Sequence, residues 1–223
     1  MEIRSDFSKR EVVLPGEQPW TPSPLAGVER QMLDRSVIDE TGNEEIARAT
    51  SIVRYAKGSH FTAHAHDRGE EFLVLEGTFA DEHGVYPQGT YVRNPPGSSH
   101  APHSEAGCTL LVKLRQFHPE DRARVVIDTE RASWRAGLVP GLSVLPLHAY
   151  GTEGVALVRW APDTVFQAHT HPGGEEIWVL DGVFEDEHGS YPKGSWLRNP
   201  SMSRHRPFTR NGAMIWVKTG HLA

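Results

Sequence analysis

The chain has 223 residues, with 29 acidic residues against 23 Lys and Arg, for a formal net charge of −6. That balance excludes a protein that grips a phosphate backbone, which needs a basic face, or one drawn to an anionic membrane surface. The single cysteine, Cys108, excludes an intrachain disulfide and fits a reducing compartment. No apolar run approaches the roughly 20 residues of a membrane span, and Met1–Asp6 carries no apolar signal core. The expectation is a soluble, cytoplasmic protein with no nucleic-acid or membrane partner.

In chain order, Trp20 and Gly27 precede a polar stretch, Glu40-Thr41-Gly42-Asn43-Glu44-Glu45, which predicts a loop. His64-Ala65-His66 reads as strand, so its two imidazoles share one side. Asp67-Arg68-Gly69 predicts a turn, and Glu70 opens the run Glu71-Phe72-Leu73-Val74-Leu75, short and β-prone. Asp81-Glu82-His83-Gly84 predicts a second turn, and Asn94-Pro95-Pro96-Gly97-Ser98-Ser99 a third that leads the chain back to His100. Thr109-Leu110-Leu111-Val112 is the last strand of this half. After the polar link His118-Pro119-Glu120-Asp121-Arg122 the pattern repeats, each position 105 places on: His169-Thr170-His171, Glu175, Asp186-Glu187-His188-Gly189, Arg198-Asn199-Pro200, His205 and Ala213-Met214-Ile215-Trp216-Val217. Upstream, Trp20 matches Trp134 and Gly27 matches Gly141 at an offset of 114, so the first copy holds nine extra residues, assigned to the polar loop. A period of 105 residues is a duplicated domain rather than a solenoid unit. The expected domains are residues 1–117 and 118–223. Many short strands between frequent turns, with no convincing helical periodicity, predict an all-β fold of two small jelly-roll barrels in tandem.

The chemistry lies in the histidines. His64, His66, Glu70 and His100, and their equivalents His169, His171, Glu175 and His205, form two sets of three imidazoles and one carboxylate. Such a mixed N/O set suits one divalent transition metal per domain, zinc, iron, manganese, nickel or copper, with zinc favoured. Adjacent strand residues face opposite ways, so only one of Glu70 and Glu71, and one of Glu175 and Glu176, can join each set. The first of each pair is preferred. Arg93 and Arg198 are expected to pair a carboxylate such as Asp81 or Asp186. Lys113 and Lys218 are expected to point to solvent, and Cys108 to be a small buried residue. Trp178, Trp196 and Trp216 are expected as core or barrel-mouth residues that narrow the second cavity, where the first has Leu73, Tyr91 and Leu111.

The first half reads Gly58, five residues, His64-x-His66, three residues, Glu70, six residues, Gly77. Later comes Gly89, five residues, Pro95-x-Gly97, two residues, His100. This resembles the two motifs of the cupin superfamily, with Ser104 where the family has a closing Asn. In the second half Asp163 stands for the first Gly, Met202 for the Gly before His205 and Thr209 for the Asn. The strings Gly69–Gly77 and Tyr86–His100 are similar to the cupin domain of ChrR-type anti-sigma factors, a family of oxidative-stress sensors. Acetylacetone-cleaving iron dioxygenases are a similar branch. The resemblance implies a bicupin whose metal ligands are the eight residues named above, a small molecule in the barrel, and a role in regulation or in dioxygenase chemistry. A homodimer is one alternative left open. The His-x-x-x-Cys-x-x-Cys motif of the ChrR anti-sigma domain is absent from this sequence, so a sigma factor is not an expected partner.

Overall fold

The computed structural model describes residues 1–38 and 45–222. The loop expected at Glu40–Glu45 lies outside the described residues except for Glu45, which opens a strand. Every regular element among the described residues is a β-strand. The chain divides into two compact units, Met1–Ser5 with Gln18–Arg131, and Asp6–Glu17 with Ala132–Ala223.

In the first unit the main sheet runs, side by side, Val125–Asp128, Thr90–Asn94, Glu70–Asp81, Cys108–Leu114, Glu45–Tyr55, Val28–Ile38 and Thr21–Pro22, all antiparallel. The far end of Glu70–Asp81 leaves this path to pair with Gly84–Pro87. A two-stranded flap joins His64–His66 to Ser98–His100. Alternation of side chains along each strand gives one apolar face. Phe72 lies opposite Val92 and Val112, and Leu110 opposite Val74 and Val53. These residues, with Val28, Phe79 and Tyr86, fill the interior of a jelly-roll barrel.

The second unit repeats the plan with Glu11–Val13, Trp196–Asn199, Glu175–Asp186, Ala213–Thr219, Glu153–Trp160, Leu142–Tyr150 and Arg135–Ala136. Its interior holds Leu142, Trp160, Ile177, Val179, Phe184, Tyr191, Leu197 and Ile215. In both units an indole lies under a guanidinium, Trp20 under Arg54 at 4.2 Å and Trp134 under Arg159 at 4.3 Å.

The units do not follow a single cut after residue 117. Glu11–Val13 adds to the edge of the second barrel, on Trp196–Asn199, and Val125–Asp128 adds to the edge of the first, on Thr90–Asn94. Each barrel therefore takes its edge strand from the segment that precedes the other barrel in the chain. The pairing satisfies a row of backbone groups that a bare edge would expose.

The turn substitutions keep their geometry. Asp163 and Met202 adopt φ of 58° and 65°, in the left-handed region that Gly58 and Gly97 occupy at 73° and 85°. Ser104 and Thr209 replace the family Asn by donating their hydroxyls to the carbonyls of Thr78 and Val183, at 2.6 and 2.8 Å.

Three expectations need correction. Trp178, Trp196 and Trp216 are buried core residues as expected, but they lie in register on the face opposite Ile177, Leu197 and Ile215, so they do not narrow the barrel. Lys113 and Lys218 are buried. Lys113 donates to Thr50 Oγ1 at 2.9 Å and Lys218 pairs with Glu153 at 3.0 Å. Their register opposite Glu71 and Glu176 places them on the acidic face of the sheet. Arg93 does pair carboxylates, but they are Glu71 and Asp121 rather than Asp81, and Arg198 donates to the carbonyl of Asp6. The cation beside Asp186 is Arg10, at 3.5 Å.

Candidate metal centres

Each barrel gathers the same four side chains. The His64–His66 flap pairs antiparallel with Ser98–His100, which sets His64 opposite His100. Glu70 enters from the main sheet, at the start of the strand that follows the turn. In the first unit His66 Nε2 and His100 Nε2 are 3.0 Å apart, and Glu70 Oε2 lies 3.5 and 3.6 Å from them. The second unit gives 3.0 Å for His171 to His205, and 3.5 Å from each to Glu175. His64 and His169 complete triads whose nitrogen atoms all lie within 4.8 Å of one another. Each unit thus brings its three expected histidines together, with Glu70 or Glu175 within 3.6 Å of two of them.

The alternative carboxylates are elsewhere. Glu71 faces Arg93, and Glu176 accepts from Trp196 Nε1 at 2.8 Å and lies 3.1 Å from His221. Both sit on the other face of their strands.

The donor sets fit a first-row divalent cation. With metal–nitrogen bonds of about 2.1 Å, neighbouring donors lie about 3.0 Å apart at right angles and about 3.4 Å apart at the tetrahedral angle. The edges among His66, His100 and Glu70, and among His171, His205 and Glu175, 3.0 to 3.6 Å, span these values. The tautomers also fit. A carbonyl or carboxylate only accepts, so the ring nitrogen facing it carries the proton and the other keeps its lone pair. His64 Nδ1 faces Thr62 O at 3.2 Å and His169 Nδ1 faces Gln167 O at 2.9 Å. His100 Nδ1 faces Asp81 Oδ2 at 3.2 Å, and His205 Nδ1 faces Asp186 Oδ2 at 3.5 Å. His100 and His205 turn Nε2 towards His66 and His171.

The electrostatics divide the imidazoles. Burial, reinforced by the neighbouring rings, holds His66 and His171 below the ordinary imidazole value despite Glu70 and Glu175. Burial pulls His100 and His205 down too, but the Asp81 hydrogen bond, the Asp186 carboxylate and the quartet carboxylate outweigh it and raise them.

Sequence reading missed the shell around the quartets. Asp81 and Asp186 orient a histidine each, and each also accepts from a tyrosine, Tyr86 at 3.0 Å and Tyr191 at 2.8 Å. Asn94 Nδ2 and Asn199 Nδ2 donate to Glu70 and Glu175 at 3.2 and 3.0 Å. The available signal was repetition: Asp-Glu-His-Gly, Tyr-Pro and Arg-Asn-Pro recur at the offset of the ligands themselves.

The model of the ChrR cupin-like domain matches residues 8–118 and again 122–223. This chain belongs to the ChrR cupin-like family. As a ChrR cupin-like protein with two copies, it is a bicupin, and its solved structural relatives share the fold at low identity. A proposed dioxygenase from Nostoc punctiforme aligns with a TM-score of 0.78 at 15% identity, over 96% of this chain and 84% of that one. The Escherichia coli pirin YhhW, solved with nickel(II), gives 0.64 at 13%, over 95% and 98%. Salicylate 1,2-dioxygenase of Pseudaminobacter salicylatoxidans gives 0.60 at 11%, over 78% and 71%. No curated protein matches this chain.

Proposed function

We propose that this ChrR-like bicupin binds one divalent transition-metal ion in each barrel and acts as a small-molecule or stress-sensing module in the reducing cytoplasm. The observation that carries the reading is the convergence of three imidazoles and one carboxylate, with matching edges, in both units. His64, His66, Glu70 and His100 would hold the first ion, and His169, His171, Glu175 and His205 the second. Zinc, with four protein ligands, makes a closed site that stabilises the fold. Family membership favours the sensing role.

A second reading is a metal-dependent dioxygenase acting on a small organic substrate. What favours it is the exposure of His64, against the burial of His100. That gradient opens the first quartet to solvent on one side, where a substrate can approach. A bound iron, manganese or nickel ion supplies Lewis-acid and redox chemistry at such a position. The relatives described as dioxygenases are in keeping with it.

Elemental analysis of freshly purified protein tests the proposal, with oxygen uptake on small diketones as the second arm. Two zinc ions per chain and no uptake support the sensor. Iron with substrate-dependent uptake supports the dioxygenase. Protein that takes up no divalent cation at neutral pH removes both readings.

A further inference from the structure

We propose that Arg10 and Arg124 are positioning residues for the two metal sites, each carried to its site by the edge strand that its barrel takes from a distant part of the chain. The proposal rests on the metal-binding reading above. The two arginines stand at the repeat offset of 114 found upstream of the barrels, and each lies next to an edge strand, Glu11–Val13 or Val125–Asp128.

In the second unit Arg10 braces two of the four donors. Its Nη2 donates to Tyr191 Oη at 2.5 Å, Tyr191 donates to Asp186 Oδ1 at 2.8 Å, and Asp186 Oδ2 faces His205 Nδ1 at 3.5 Å. Its Nε donates to Asn199 Oδ1 at 3.0 Å, and Asn199 Nδ2 donates to Glu175 Oε2 at 3.0 Å. A primary amide has one acceptor end and one donor end. With Nε–H on its oxygen, Asn199 must turn its NH₂ towards Glu175. One guanidinium thereby sets the direction of a carboxylate and, through tyrosine, of the aspartate that lies 3.5 Å from the His205 imidazole. Arg10 lies 181 positions from Tyr191 in sequence.

In the first unit Arg124 has one arm. It donates to Tyr86 Oη at 3.1 Å, Tyr86 donates to Asp81 Oδ1 at 3.0 Å, and Asp81 Oδ2 faces His100 Nδ1 at 3.2 Å. No bond from Arg124 to Asn94 is present among the described residues. Arg124 is exposed and lines a groove of about 420 Å³ with His83 and Tyr86, where water competes for it. The brace is weaker here, so the second site depends more on its arginine than the first does.

The test is cobalt(II) titration of the full chain after metal stripping, with H66A isolating the second site and H171A the first. R10Q in the H66A background is expected to weaken cobalt binding about 10- to 100-fold, the usual cost of losing an outer-shell partner, and to alter the d–d absorption envelope. R10K, which can reach one partner but not both, is expected to fall between. R124Q in the H171A background is expected to lose less. Arg10 is about a third exposed, so the metal-free R10Q protein should melt close to its parent, which separates positioning from loss of fold. Unchanged affinity and spectrum in R10Q, or a greater loss in R124Q, overturns the proposal. A parent chain that binds no cobalt instead strikes the metal reading itself, and the proposal falls with it.

Discussion

Replacing Asp186 by Asn in the metal-free protein should cost about 2 kcal/mol of stability at neutral pH. Burial pushes this carboxyl up, but hydrogen bonds from His205, Tyr191 and the His188 backbone N–H outweigh it and hold it at about 2, against an ordinary 3.8. A carboxyl depressed by that amount is worth about 2 kcal/mol once ionised in both states. The sign follows from the depression. The contribution is fully present above the unfolded value of 3.8 and is lost as pH falls through about 2. The gap between parent and D186N should be level from pH 7 to about pH 5, fall to about half by pH 3 and close below pH 2. Urea unfolding followed by tryptophan fluorescence reads it well, because five of the six tryptophans, all but Trp20, lie after residue 131. Equal stability of the two proteins at pH 7, or a gap undiminished at pH 3, would refute this account of the Asp186 hydrogen bonds.

Four further outcomes are expected. H66A and H171A should each reduce bound metal from two ions per chain to one, measured by elemental analysis; loss of both ions from either variant would contradict independent quartets. Stripping with a chelator should lower the melting temperature, since a ligand at 100 times its Kd stabilises the folded state by about 2.7 kcal/mol; an unchanged melt would show that the ions add nothing to the fold. M202G should stabilise by about 0.5–1 kcal/mol, because a non-glycine residue in the left-handed region costs about 1–2 kcal/mol, part of which glycine returns as unfolded-state entropy. Met202 is exposed, so no packing is lost, and a lower denaturation midpoint for M202G would count against the strain. Cys108, buried and pushed up to about 11, should resist iodoacetamide at pH 8 and react on unfolding; rapid labelling of the native protein would show an accessible thiolate.

The sequence alone determined the β-class of the fold, its duplication and the three recurring histidines of each candidate site. These properties are written locally. Period-two alternation marks a strand wherever it packs, and His64, His66 and Glu70 fall within seven residues, so a strand and a turn suffice to aim them. Tertiary structure decided the rest. Which of Glu70 and Glu71 faces the histidines depends on which side of the sheet becomes the barrel interior, and Phe72, Val74 and Leu110 set that side together. The same choice buried Lys113 opposite Glu71 and turned the tryptophans of the second unit away from its cavity. The exchanged edge strands leave no local trace either. Glu11–Val13 has only three residues, too few for a periodic signal, and its partner Trp196–Asn199 lies at the other end of the chain. Only the closed sheet reveals an edge that needs a strand, and only then does Arg10 come within reach of Tyr191 and Asn199.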